Sequence, residues 1–281
     1  MKTIAVIAPG AMGSAVALRL TGEGARVLTA LDGRSEATRA RAAAAGMEAA
    51  GDEALAGADI VLSIVPPAEA EALARRLSPH LAAAARKPVY VDANAVSPET
   101  VRRIGGIVAA TGTPFLDGAI IGLPPKPGTP GPRVYVSGDD PAPAMALREL
   151  GLDLRVCPGG VGAASSLKMS YAGINKGLTA LAALMVLAAD RAGAGEALLA
   201  ELAENEPQLL ARFAKGLPDM VPKAYRWAPE MREIAGFLGQ DEAGRQVFAG
   251  NARLYERLSG DDGTEDIAAL LRFAQTAAGR G

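Results

Sequence analysis

The side chain best placed to move a proton in this chain is a lysine. Lys168 lies in Gly162-Ala163-Ala164-Ser165-Ser166-Leu167-Lys168-Met169-Ser170-Tyr171, near the start of a long apolar stretch. An ammonium in such surroundings is desolvated, which lowers its pKa and makes it a better proton donor near neutrality. Tyr171 and Asn175 follow three and seven residues later, on roughly the same helix face. The competing structural account has Lys168 snorkel to solvent along its aliphatic stem. Other chemistries are poorly supplied. The single histidine, His80, stands in Ser78-Pro79-His80 at an expected helix end, and the single cysteine is Cys157. A disulfide framework, a multi-cysteine metal site and a zinc site with several histidines are therefore excluded.

A second constellation opens the chain. Thr3-Ile4-Ala5-Val6-Ile7-Ala8-Pro9-Gly10-Ala11-Met12-Gly13 reads strand, tight turn, helix, with glycine at the second and third positions of a dinucleotide fingerprint. Gly10 lets the backbone approach a pyrophosphate, Gly13 lets the helix pack closely on the sheet, and the helix start presents N–H groups to phosphate charge. Ala8 replaces the first glycine, and Pro9 removes one donor. At the end of the second expected strand, Asp32 could bind both ribose hydroxyls and favour NAD(H). Arg34, Ser35 and Arg39 could instead hold a 2′-phosphate, and this reading favours NADP(H) over NAD(H). Val65, Pro66 and Pro67 would line the nicotinamide-ribose path. Carbonyl reduction needs a proton donor. The Tyr-x-x-x-Lys pair of short-chain dehydrogenases is absent: four residues after Tyr90, Tyr135, Tyr171, Tyr225 and Tyr255 stand Asn94, Asp139, Asn175, Pro229 and Ser259.

Continuous apolar runs at 3–7, 26–31, 60–65 and 89–92 suit strands of a parallel sheet buried on both faces. Helical spacing lies between them at 11–20, 36–45, 68–77 and 98–109, with Ser97-Pro98-Glu99 a good helix start. Further strands are expected at 115–121 and 133–137. The alternation predicts an α/β, Rossmann-type doubly wound parallel sheet over residues 1–160. An all-helical domain over 161–281 follows, with one long helix at 163–190. The chain has 281 residues, 49% hydrophobic and 21% charged, with 29 basic against 31 acidic side chains. This excludes disorder and supplies no basic surplus for nucleic acid. Pro9, Gly10 and Gly13 interrupt what would otherwise resemble a signal peptide, and the apolar stretch 177–189 is too short to span a bilayer. A soluble, cytoplasmic protein with a small-molecule substrate and no nucleic-acid or membrane partner is expected.

Taken in order, these segments resemble the β-hydroxyacid dehydrogenase superfamily, the 3-hydroxyisobutyrate and 6-phosphogluconate dehydrogenase-like proteins. Ala8-x-Gly10-x-Met12-Gly13 resembles its cofactor motif, and Asp92-Ala93-Asn94-Ala95-Val96-Ser97-Pro98 a second segment. Phe115-Leu116-Asp117-Gly118-Ala119-Ile120-Ile121-Gly122 resembles its substrate loop. Gly162 to Lys168 resembles the segment bearing its catalytic lysine, and Met220-Val221-Pro222-Lys223 a later one. The resemblance implies that Lys168 is general acid in reduction and base in oxidation, with substrate in an interdomain cleft. Asn94, Ile121, Gly122, Asn175 and Lys223 would orient the substrate, and Asn94 would also reach the cofactor. Trp227 either packs across the cleft or fills the helical core. A homodimer formed through the helical domains is implied.

Departures narrow the substrate. The family's Ser-Gly-Gly reads Ile121-Gly122-Leu123, its Ser-Thr pair reads Asn94-Ala95, and its asparagine four residues past the lysine is Ala172, so Asn175 or Tyr171 would take over. A pocket for a small carboxylate has lost donors, which argues against 3-hydroxyisobutyrate. The pattern around Lys223-Ala224-Tyr225-Arg226-Trp227 is closest to a poorly characterised branch with its own C-terminal helical domain. Three readings result: an NADP-dependent hydroxyacid or alcohol oxidoreductase, an imine reductase, or a non-catalytic dinucleotide-binding protein. Imine reductases generally replace the lysine, so Lys168 favours the first.

Overall fold

Strands alternate their side chains between two faces, so a strand buried on both sides must be apolar at every position. The computed structural model, which describes residues 1–125 and 131–279, shows this directly. In β1 (Thr3–Ile7), Ile4 and Val6 enter one core while Ala5 and Ile7 enter the other. The remaining strands are β2 (Arg26–Thr29), β3 (Met47–Ala49), β4 (Ile60–Ser63), β5 (Val89–Asp92), β6 (Phe115–Ile121), β7 (Arg133–Ser137) and β8 (Asp153–Val156). They form one sheet in the order β3-β2-β1-β4-β5-β6-β7-β8, parallel throughout except where β6 meets β7. Strand order reverses between β1 and β4, which opens a crevice at the carboxyl ends of those strands.

The helices of this unit are α1 (Ala11–Gly22), α2 (Glu36–Ala44), α3 (Asp52–Ala56), α4 (Ala70–Ala83), α5 (Pro98–Ala109) and α6 (Ala146–Glu149). Ser97 caps α5 by accepting the Thr100 N–H at 3.2 Å, a contact that contributes about 1 kcal/mol. α4 runs past the expected end at 77. Pro79 cannot donate to the Arg75 carbonyl, and the Ser78 hydroxyl donates to it instead at 3.0 Å, so the helix continues through His80. β2 and β4 stop short of 31 and 65 because the chain turns into the crevice there. Two short strands, β3 and β8, had no apolar run long enough to announce them.

The long helix α7 (Ala163–Arg191) is followed by α8 (Gly195–Asn205), α9 (Pro207–Met220), α10 (Ala224–Phe237), α11 (Glu242–Ser259) and α12 (Thr264–Ala278). Met169, Ala183, Leu187, Phe213, Leu217, Met231, Tyr255 and Leu270 make their common core. The two compact units divide between Lys168 and Met169, inside α7, where the sequence placed the boundary at 160. One expectation is corrected. Small and apolar residues before Gly177 extend the helix, so α7, with 29 residues and an 18-residue stretch of mean hydropathy 1.5, is long and apolar enough to cross a membrane by length and composition. Its first turn is nevertheless bonded into the sheet, and Ala180, Ala183 and Leu187 are core residues.

Candidate functional site

The turn after β1 is fixed by few bonds and by close packing. The Ala8 N–H donates to the Ile64 carbonyl at 3.0 Å, the Gly10 N–H donates to the Ala8 carbonyl at 2.9 Å, and buried Pro9 accepts from Arg41 Nε at 3.3 Å. The two glycines serve different ends. A Cβ on Gly13 would stand 2.0 Å from the Ala8 oxygen, so the α1–β1 approach requires glycine there. A Cβ on Gly10 would meet nothing within 4 Å, so nothing in the fold requires glycine at that point. No side chain caps α1. With exposed Ala11 and half-buried Met12 following, the helix start offers N–H groups and a positive dipole end to an anion.

Beyond β2 lies a cavity of about 550 Å³ lined among others by Asp32, Arg34, Asp52 and Arg76. Arg34 reaches toward Glu69 at a loose 3.8 Å, whereas Arg76 is paired with Asp52 at 3.2 Å. Ser35 is the N-cap of α2, taking the Thr38 N–H at 3.4 Å, and Arg39 Nε donates to the Arg34 carbonyl at 3.2 Å. Of the three residues expected at a 2′-phosphate, Arg34 lines the cavity and the other two are engaged locally. Sequence reasoning missed Asp52 and Arg76, which come from later elements.

A row of polar residues crosses the sheet at its carboxyl edge. Register pairs Ser63 of β4 with Asp92 of β5, Asp92 with Asp117 of β6, and Asp117 with Ser137 of β7. All four are buried. Neighbouring strands lie about 4.8 Å apart, so the two carboxylates occupy adjacent positions. Asn94 is 2% exposed; its Oδ1 accepts the Val65 N–H at 2.6 Å, and its Nδ2 donates to Ser63 Oγ at 2.8 Å and Asp92 Oδ2 at 2.9 Å. With its amide spent on these bonds, Asn94 fixes the exit of β4 that carries Val65, Pro66 and Pro67. Pro66 and Pro67 are exposed while Val65 is buried.

Lys168 comes to this row from the second turn of α7. Desolvation brings its pKa down to about 8, against the opposing pull of Asp92 and then Asp117. Burial pushes Asp92 up to about 6; bonds from Asn94 oppose this, Asp117 adds to it, and Lys168 counters it. Burial also raises Asp117, against hydrogen bonds from Ser165, Ser137 and Gly162. Among the described residues, none takes a hydrogen bond from the Lys168 ammonium. The site therefore holds an amine of lowered basicity with unspent donors beside two buried acids. That arrangement can give a proton to, or take one from, a ligand oxygen.

The remaining candidates are more scattered. Ile121 closes β6, and Gly122 follows with φ +130° against Pro132, at the start of exposed Leu123. In the second unit Tyr171 is exposed, and Asn175 gives Nδ2 to the Tyr171 carbonyl and takes Arg212 on Oδ1, each at 2.7 Å. Lys223 is ion-paired with Asp219. Trp227 packs edge-on to Tyr255 at 5.3 Å, with the Lys176 ammonium 5.4 Å from its ring, against the helical core.

Residues 3–95 match the family described as NADP oxidoreductase, coenzyme F420-dependent, and residues 189–258 match a domain of unknown function, DUF1932. An uncharacterized 28.5 kDa protein in the 7S RNA 5′ region of Methanothermus fervidus is 31% identical over 191 residues, 67% of this chain and 72% of that one. Conserved protein MTH1747, of unknown function and structurally similar to 3-hydroxyacid dehydrogenases, superposes with TM-score 0.75 at 29% identity, covering 94% of this chain and 99% of that one. Mycobacterium tuberculosis 3-hydroxyisobutyrate dehydrogenase shares the fold, with TM-score 0.68 at 19% identity over 97% and 98%.

Proposed function

This chain belongs to the β-hydroxyacid dehydrogenase superfamily, and we propose that it is an NAD(P)-dependent oxidoreductase acting on a hydroxy acid or alcohol and its carbonyl counterpart. The observation that carries the reading is Lys168, an amine whose pKa desolvation brings down to about 8 and which has no hydrogen-bond acceptor among the described residues. The open backbone at Gly10 and the uncapped start of α1 suit a dinucleotide pyrophosphate, and Arg34 suits a 2′-phosphate, so the residues fit NADP(H). When bound, the nicotinamide supplies or accepts the hydride.

The chain's own part is proton management and order. Lys168 hydrogen-bonds the reacting oxygen, gives it a proton as it becomes a hydroxyl, and takes that proton back in the oxidative direction. Near pH 8 both forms of the amine are well populated, which is where a general acid–base is most effective. Asp92 and Asp117 keep the ammonium form accessible in desolvated surroundings. Asn94 holds the Val65-Pro66 turn, and Ile121 and Gly122 bound the substrate side with a less polar edge than a carboxylate pocket would have.

Lys168→Met tests this. NADPH affinity should persist while turnover on a panel of aldehydes, β-keto acids and alcohols falls about 10²–10⁴-fold. Unchanged turnover would remove Lys168 from the mechanism, and activity confined to cyclic imines would reassign the enzyme as an imine reductase. The apolar residues exposed on α7, Ile174, Leu181 and Leu184, border a groove of about 730 Å³ shared with Val247 of α11. We infer that a second copy covers this face, as the family resemblance implies. Light scattering should then return twice the 28.6 kDa chain mass, and Leu181→Glu should return one.

A further inference from the structure

Asp117 is a fully buried carboxylate in the middle of an otherwise apolar strand, Phe115–Ile121. It accepts four hydrogen bonds. Oδ2 takes the Gly162 N–H at 3.0 Å, the Ser165 N–H at 2.9 Å and the Ser137 hydroxyl at 3.2 Å, and Oδ1 takes the Ser165 hydroxyl at 2.6 Å. Ser137 Oγ in turn accepts the Ala164 N–H at 3.0 Å. The first N–H groups of α7 are thus satisfied by side chains of β6 and β7. Gly162, at φ +107°, gives the chain the turn that aims its own N–H at the carboxylate.

A neutral serine, threonine or asparagine suffices to cap a helix. Burying a charge costs far more than burying a neutral group unless something nearby answers it. Here the four hydrogen bonds answer it, and its charge also favours the ammonium form of Lys168, one turn beyond Ser165. We propose that Asp117 is a positioning residue for Lys168: its carboxylate clamps the first turn of α7 to the sheet and sets a fixed negative charge beside the amine. The clamp stands on the bonds above; its consequence for turnover rests on the role proposed for Lys168.

Substitution can separate clamp from charge. In Asp117→Asn the amide oxygen can keep the three Oδ2 bonds and the Ser165 hydroxyl can rotate to accept, so the turn stays fixed while the charge is lost. Ser165→Ala keeps the charge and removes one bond. The other charged or titratable groups around the turn are Asp92 on β5, Cys157 after β8 and Arg102 on α5, which donates to the Val161 carbonyl; all three are left in place. The measurement is an NMR titration of the Lys168 13Cε signal, assigned by its absence in Lys168→Arg, on the full chain without ligand.

Loss of the negative charge should favour the neutral amine, so the Lys168 midpoint in Asp117→Asn should move below its wild-type value by about half a pH unit or more. Ser165→Ala should leave it in place. Asp117→Asn should also lower kcat about tenfold, with NADPH affinity within about twofold. A wild-type midpoint in a folded Asp117→Asn protein would overturn the proposal. Should neither variant fold, the wild-type Asp117 13Cγ signal must shift at the Lys168 midpoint, and a flat trace there would equally overturn it. Because the titration needs no substrate, a displaced midpoint alongside unaffected Lys168→Met turnover would reject the catalytic reading and leave the clamp intact.

Discussion

Arg34 and Asp32 line the same cavity after β2, and cofactor preference turns on which of them meets the ribose. The four charges on that lining, Asp32, Arg34, Asp52 and Arg76, cancel, but they are not equally committed. Arg76 is held by Asp52 at 3.2 Å, while among the described residues Arg34 is paired only with half-exposed Glu69 at 3.8 Å. An arginine so loosely paired can turn its planar fork to a phosphate at little cost, and a bidentate contact of that kind is among the stronger polar interactions available. Arg34→Ala should therefore weaken NADPH by about ten- to a hundredfold and leave NADH within about twofold, measured by nicotinamide fluorescence titration. Equal losses for both would hand the position to Asp32. At this scale the sequence was partly legible: Arg34 and Lys168 stood out by type and setting. Asp92 and Asp117 appeared inside quoted segments without a role, although an acid within an apolar strand is itself a signal that something buried must answer its charge.

The turn joining β1 to α1 decides whether the nucleotide reading is correct, and its two glycines make a controlled pair. Gly13→Ala drives a methyl group into the Ala8 carbonyl and should cost about 1–3 kcal/mol of stability whether or not a ligand is present. Gly10→Ala adds a methyl group that no protein atom meets, so its melting temperature should stay close to wild type. NADPH affinity should still fall about tenfold or more, because the methyl group would occupy the space a pyrophosphate needs. Calorimetry without ligand and fluorescence titration with it separate the two effects; undiminished affinity in Gly10→Ala would remove the turn from the binding site. Elements with strong local signatures were readable in advance: β1, β5, β6, β7 and α5 fall on their expected residues, because apolar runs and the Ser97-Pro98 start need no tertiary information. β3 and β8 were not readable, since three or four residues of mixed polarity become strands only when a neighbouring edge pairs with them. The polar row from Ser63 to Ser137 was hidden for a related reason, because sheet register, which sequence spacing does not fix, brings four distant residues level.

Desolvating a half-buried amine and burying two carboxylates also leaves a mark on the stability of the whole molecule. For Lys168 the folded pKa, about 8, lies below the ordinary 10.5, so the stability it costs is fully present below pH 8 and disappears as pH rises from 8 to 10.5. For Asp92 the folded value, about 6, lies above the ordinary 3.8, so stability is greatest below 3.8 and is lost as pH rises through 6. Between about 6 and 8 the protein carries both the desolvated ammonium and the buried carboxylate, each softened by the other. Lys168→Met removes one of them with little change in side-chain length. The variant should be more stable than wild type at pH 5, where Asp92 is largely protonated, by an amount on the order of 1–3 kcal/mol. The difference should close above about pH 10.5, where the wild-type amine is neutral in both the folded and the unfolded chain. Thermal unfolding at those two pH values reads it directly. An equal difference at both would mean that folding leaves the lysine's ionisation unchanged, and an amine unperturbed by folding would offer neither the lowered basicity nor the desolvated setting on which proton transfer to a substrate oxygen depends.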